Sequence, residues 1–103
     1  MSHNVPLHIV VSGFKDCPYY VKALEVAKKL EAANEHITIE DICLNREQFH
    51  EHRKKILKNL GHNENYHTTC PLVYSSHKNV PAVYYGGCDN FLDLCRTEFK
   101  LDV

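Results

Sequence analysis

Val and Ile crowd the stretch from Leu7 to Ser12, with His8 the one strongly polar interruption. A short, nearly continuous apolar run of this kind suits a strand covered on both faces, as in a parallel sheet. Gly13 is expected to end it. From Pro18 the period changes. Lys22, Glu25 and Lys29 mark one side, and Val21, Leu24, Ala27 and Leu30 the other, which predicts an amphipathic helix over 18–33. Pro18 suits the first helical position, where a missing N–H costs nothing. Alternation at Ile37 and Ile39, followed by Ile42, Cys43 and Leu44, predicts a strand over 36–44. Phe49, Ile56 and Leu60 share a seam, so 46–60 reads as a helix stopped by Gly61.

Residues 62–69 are polar and loop-like. Two short strands follow, at 71–74 and 80–85, around a turn-rich stretch over 75–79. Pro81 reads as a strand-edge residue. After Gly86 and Gly87, either Cys88 or Asp89 precedes a last helix over 90–99, with Phe91, Leu94, Cys95 and Phe99 apolar. The order is β-α-β-α-β-β-α. Two strands joined by a helix should lie parallel with a right-handed crossover, and the final hairpin must be antiparallel. The expected fold class is therefore α/β, a thioredoxin-like four-stranded mixed sheet with helices on both faces. A single domain over 1–103 is expected.

Composition excludes several functions. The net charge is −1, which gives no electrostatic case for nucleic acid or an anionic membrane. Arg53, Lys54, Lys55 and Lys58 read as a solvated helix face. The N-terminus shows neither a leader pattern nor an apolar run long enough to span a membrane, so a cytoplasmic, reducing setting is expected. The five cysteines stand at 17, 43, 70, 88 and 95, without a C-x-x-C pair. That spacing argues against a disulfide framework and against a zinc ribbon. The eight histidines are scattered, and His50 and His52 fall on different sides of a helix. Cys43 and Cys95 read as core residues.

The chemistry concentrates in three segments: Asp16-Cys17-Pro18-Tyr19-Tyr20, Thr68-Thr69-Cys70-Pro71, and Gly86-Gly87-Cys88-Asp89. A thiol at the start of a helix faces unpaired N–H groups and the positive end of the dipole. Both stabilise the thiolate, which is the attacking form. Lys15 adds to this effect and Asp16 opposes it. Cys17 is thus the candidate nucleophile; a buried, inert cysteine is the alternative.

Taken together and in order, the three segments resemble the glutaredoxin family over essentially the whole chain. There they read CPYC, TVP and GGCD. The resemblance implies a cis Pro71 and a backbone contact from Cys70 to the cysteinyl part of glutathione. It also implies that Cys88 and Asp89 hold the γ-glutamyl end, with Lys15, Tyr19, Thr69 and Gly87 completing the site. The first turn of the last helix offers N–H groups to a carboxylate, although Asp89 could equally be a plain N-cap.

Tyr20 replaces the second cysteine of CPYC. The dithiol route is closed, and a monothiol route on glutathione mixed disulfides remains. Tyr20 is also bulky enough to crowd an iron–sulfur cluster beside Cys17, so no metal or cluster is expected. Glutathione is then the co-substrate and glutathionylated proteins the partners of a monomer. The family lysine lies three residues before the cysteine, whereas Lys15 lies two before. Cys70 stands in for the usual valine; it is either a small apolar replacement or a candidate resolving thiol for Cys17. The segment from Pro71 to Gly86 is longer than usual.

The D-C-P-Y-Y segment and the lengthened P-L-V-Y…G-G…F-L region also resemble the glutaredoxin-like N-terminal domain of malate dehydrogenase-like proteins. No dehydrogenase domain is expected in this chain. Three readings follow. The first is a monothiol glutathione-dependent oxidoreductase. The second is a non-catalytic module keeping the fold and the groove. The third is a redox- or metal-responsive protein using Cys17, Cys70 and Cys88.

Overall fold

The computed structural model describes residues 6–77 and 80–102. Its elements run β1 (Leu7–Phe14), α1 (Pro18–Ala33), β2 (Ile37–Leu44), α2 (Arg46–Asn59), β3 (Leu72–His77), β4 (Val80–Gly86) and α3 (Cys88–Thr97). The strands form one sheet in the order β2-β1-β3-β4. β1 pairs parallel to β2, with Leu7 opposite Ile37 and Gly13 opposite Cys43. β1 and β3 are antiparallel, as are β3 and β4. The expected thioredoxin-like sheet is therefore present. The reading of the extreme N-terminus and the tip of the hairpin at 78–79 lie outside the described residues.

Alternation along the two inner strands feeds two cores. Ile9, Val11 and Val73 point to the face covered by α1 and α3, where they meet Ala23, Val26, Ala27, Leu30, Phe91 and Cys95. Val10, Leu72 and Tyr74 point to the opposite face, where α2 seats Phe49. Phe49 and Phe91 are fully buried. Each such side chain contributes roughly 1.5–3 kcal/mol relative to exposure.

Several boundaries differ from the sequence reading, each for a local reason. Gly13 does not end β1 but lies within it, still paired with β2. Val21 is exposed; α1 buries Tyr20, Ala23, Val26, Ala27 and Leu30 instead, so its inward stripe is rotated towards Tyr20. α2 starts after Asn45, whose side chain accepts from the Gln48 N–H while the Gln48 side chain accepts from the Asn45 N–H. This reciprocal cap fixes the helix start. β3 runs on to His77. α3 starts at Cys88 rather than at residue 90, because Gly87 is its N-cap. Asp89 is thus inside the first turn and is not the cap. Cys43 is exposed and is not a core residue. It shares a face of the edge strand β2 with Ile37, Ile39 and Asp41, and cover falls away along that face. Cys95 is buried as expected. Pro81 lies in β4, the other edge strand. Among the described residues, no helix is long and apolar enough to cross a membrane.

Candidate active site

Cys17 is the N-cap of α1, with extended backbone and Pro18 following at the first helical position. Its own N–H donates to the Phe14 carbonyl at 3.0 Å, closing a tight turn out of β1. The side chain is only 7% exposed and packs with Tyr20 and Cys88. Its thiol donates to the Cys70 carbonyl at 3.5 Å. The Cys70–Pro71 peptide is cis, as the family resemblance implied.

Beside this pair lies a groove of roughly 320 Å3, at the small end of ligand clefts. Tyr19, Thr69, Cys70, Gly87, Cys88 and Asp89 line it, together with His67, Tyr84 and Asn90. Tyr19 stands 62% exposed at its rim. Pro71 is fully buried behind it. Lys15 is not part of the groove. It lines a separate depression with Phe14, Asp16, Cys43 and Arg46, because the turn before Cys17 directs it towards β2. Burial first, then Asp89, pushes the Cys88 thiol up, and Lys22 on α1 works against this.

Tyr20 does not stand beside Cys17 in the groove. Its ring turns into the core and is 3% exposed. The absence of a side chain at Gly13 makes this possible. A β-carbon there would lie 2.6 Å from Tyr20 Cδ1 and 2.8 Å from Cys70 Sγ, closer than van der Waals contact allows. Across that gap the Tyr20 hydroxyl reaches the neighbourhood of Cys43 and Asp41. Burial first, then Cys43, holds its proton on. The crowding expected from Tyr20 against a bridging cluster is thus not its role; the ring fills core space. Among the described residues, no three histidine, cysteine or acidic side chains are placed to hold a metal ion.

The sequence reading missed two residues that shape the groove. His67 is buried, with Nε2 donating to the Pro71 carbonyl at 2.8 Å and Nδ1 accepting from the Tyr84 hydroxyl at 2.7 Å. These contacts define a neutral tautomer, and burial lowers its proton affinity. Arg53 is also buried and is not on the solvated face assigned to it. From α2 it donates to the carbonyls of Glu64 and His67, tying down the loop that leads to Cys70. A buried arginine in a K/R run has no local sequence signal. His67, one of eight histidines, had none either.

Residues 8–103 match the family described as "Putative malate dehydrogenase 1B N-terminal domain". The chain belongs to this family. Two solved structures of Escherichia coli glutaredoxin are similar to it in fold. One, the reduced protein determined by NMR, has a TM-score of 0.67 at 19% identity, covering 91% of this chain and 99% of that one. The other has a TM-score of 0.61 at 20% identity, with the same coverage. A search of curated proteins finds no match. The malate dehydrogenase 1B N-terminal family thus has in this chain a glutaredoxin fold, as both sequence resemblances implied.

The buried His67 and the half-buried His52 give a pH prediction. His52, against the Tyr74 hydroxyl, and His67 both have their proton affinity lowered by burial. Their folded-state values lie below the ordinary value of roughly 6.5. Below that pH the unfolded chain binds more protons, so their contribution is complete above about 6.5 and is lost as pH falls. His67→Gln should therefore show a smaller loss of urea midpoint than wild type between about pH 7.5 and about pH 5.5. An equal loss in the two proteins would contradict this.

Proposed function

We propose that this chain is a glutathione-dependent thiol–disulfide oxidoreductase acting on glutathione mixed disulfides through Cys17. The observation that carries the reading is the Cys17 thiol at the N-terminus of α1, in contact with the Cys70 carbonyl beside the groove. In this reading Cys17 attacks the glutathione sulfur of a mixed disulfide and releases the protein thiol. A second glutathione then attacks the Cys17 adduct and leaves as oxidised glutathione. The groove provides the complementary chemistry for a tripeptide. The first turn of α3, which has no side-chain cap, presents N–H groups to the γ-glutamyl carboxylate, and Asp89 faces its ammonium. The backbone at Cys70 pairs with the cysteinyl unit, and Tyr19, Thr69, Gly87 and Cys88 wall the cleft. The free cysteines suit a reducing, cytoplasmic setting.

The test is turnover of a glutathionylated peptide by glutathione. A rate well above that of free glutathione supports the proposal. A rate equal to it, with glutathione still binding in calorimetry, favours the second reading, a non-catalytic binding module. The burial of Cys17 is the observation on that side. Asp89→Asn is expected to raise KM for glutathione about tenfold with little change in kcat, since it removes one charge-assisted contact outside the reacting atoms. An unchanged KM would remove Asp89 from the site.

A further inference from the structure

We propose that Cys70 is the resolving thiol of this site, attacking a Cys17–glutathione disulfide to close a Cys17–Cys70 disulfide. This rests on the reading of Cys17 as the nucleophile.

The position that carries a second thiol in a CPYC segment is filled by Tyr20, whose ring points into the core. The Cys70 sulfur and that ring both border the open space over Gly13. A second thiol therefore reaches Cys17 from the start of β3 instead of from the next turn of α1. The contact between the two residues is direct. The Cys17 thiol donates to the Cys70 carbonyl at 3.5 Å. A disulfide needs Cα atoms within about 7 Å and converging side chains. With the Cys17 sulfur already on the Cys70 backbone, the two residues stand side by side at the site where such a bond would close. Cys88 is the competing thiol. It shares a buried cluster with Cys17, but the Cys17 thiol donates to Cys70.

The surroundings of Cys70 also fit a second-step role. Burial pushes its thiol up to about 12, and Cys17 adds to this by hydrogen bond and charge. Cys70 thus stays protonated and leaves the first attack to Cys17. Once Cys17 is bonded to glutathione, its share of that effect is gone; burial, the largest cause, remains, so the attack runs through a small thiolate fraction that the Phe14 backbone hydrogen bond favours. Cys70 then loses its proton to water, and its sulfur bonds to Cys17. The Cys17–glutathione bond breaks, and glutathione leaves as a thiolate that takes up a proton. Cys70 is oxidised and the glutathione unit is reduced, while Cys17 stays at the disulfide level throughout. Two further glutathione molecules reopen the disulfide and leave as oxidised glutathione.

The experiment treats wild type, Cys70→Ser, Cys70→Val and Cys88→Ser with oxidised glutathione. The proteins are quenched with iodoacetamide, and non-reduced digests are read by mass spectrometry. Wild type and Cys88→Ser should give a Cys17–Cys70 linkage with little adduct. Both Cys70 variants should hold on the order of tenfold more glutathione on Cys17. A stable Cys17–glutathione adduct in wild type, with Cys70 alkylated, overturns the resolving role and leaves the nucleophile standing. A Cys17–Cys88 linkage overturns the choice of thiol. Cys17 alkylated throughout, without linkage or adduct even in the Cys70 variants, removes the nucleophile and this inference with it.

Discussion

Cys17→Ser is expected to bring reduction of a glutathionylated peptide down to the rate of free glutathione, a loss of at least about a hundredfold. The hydroxyl is close in size to the thiol, so the N-cap of α1 and the packing against Tyr20 and Cys88 should survive. What is lost is the nucleophile, because a serine hydroxyl is not appreciably ionised near neutral pH and no general base for it is in hydrogen-bonding contact with Cys17 among the described residues. Cys43→Ser serves as the matched control. Cys43 is exposed on β2, outside the groove, and its variant should keep turnover within about twofold. Glutathione affinity by calorimetry should change little in either protein. Activity retained in Cys17→Ser would place the chemistry elsewhere. Equal loss in both variants would point to a general effect of thiol removal.

The difference between these two cysteines shows which part of the molecule the sequence could disclose. The place of Cys17 at the start of α1 was legible because it depends on neighbours in the chain: a strand end before it and Pro18 after it. The cis Pro71 and the Gly87–Asp89 turn were legible through family motifs, since each is also a local segment. Cys43 was not, because its pattern is that of a covered strand, whereas its burial depends on where the sheet ends. Tyr20 was misjudged for a related reason. Whether its ring enters the groove or the core is decided by Gly13, seven residues away, which leaves the space for it. Lys15 was carried over from a motif spacing that the chain does not keep, and the turn sends it to the β2 side. In each case the periodicity gave the element, and a contact between elements decided the side chain's place.

Arg53 carries this furthest. Arg53→Ala is expected to lower stability by about 3 kcal/mol in urea denaturation, because charged donors to buried carbonyls are worth about 1.5–3 kcal/mol each and leave them unsatisfied when removed. Its guanidinium reaches from α2 to the carbonyls of Glu64 and His67, and its Nε donates to His50 Nδ1 at 3.4 Å. His67 in turn holds the Pro71 carbonyl and the Tyr84 hydroxyl. The chain of contacts thus runs from the helix on one face of the sheet to the wall of the groove. Loss of Arg53 should therefore raise hydrogen exchange along 63–70 and raise KM for glutathione, while Cys17 remains titratable by iodoacetamide. Arg53→Lys should recover only part of the stability, since one ammonium cannot reproduce the planar fork that meets two carbonyls. Lys54→Ala, on the exposed side of the same run, should stay within about 0.5 kcal/mol of wild type. If Arg53→Ala is no worse than Lys54→Ala, the run is a solvated face after all and the loop is held by other contacts. If stability falls but exchange along 63–70 does not change, Arg53 supports α2 and has no part in shaping the groove.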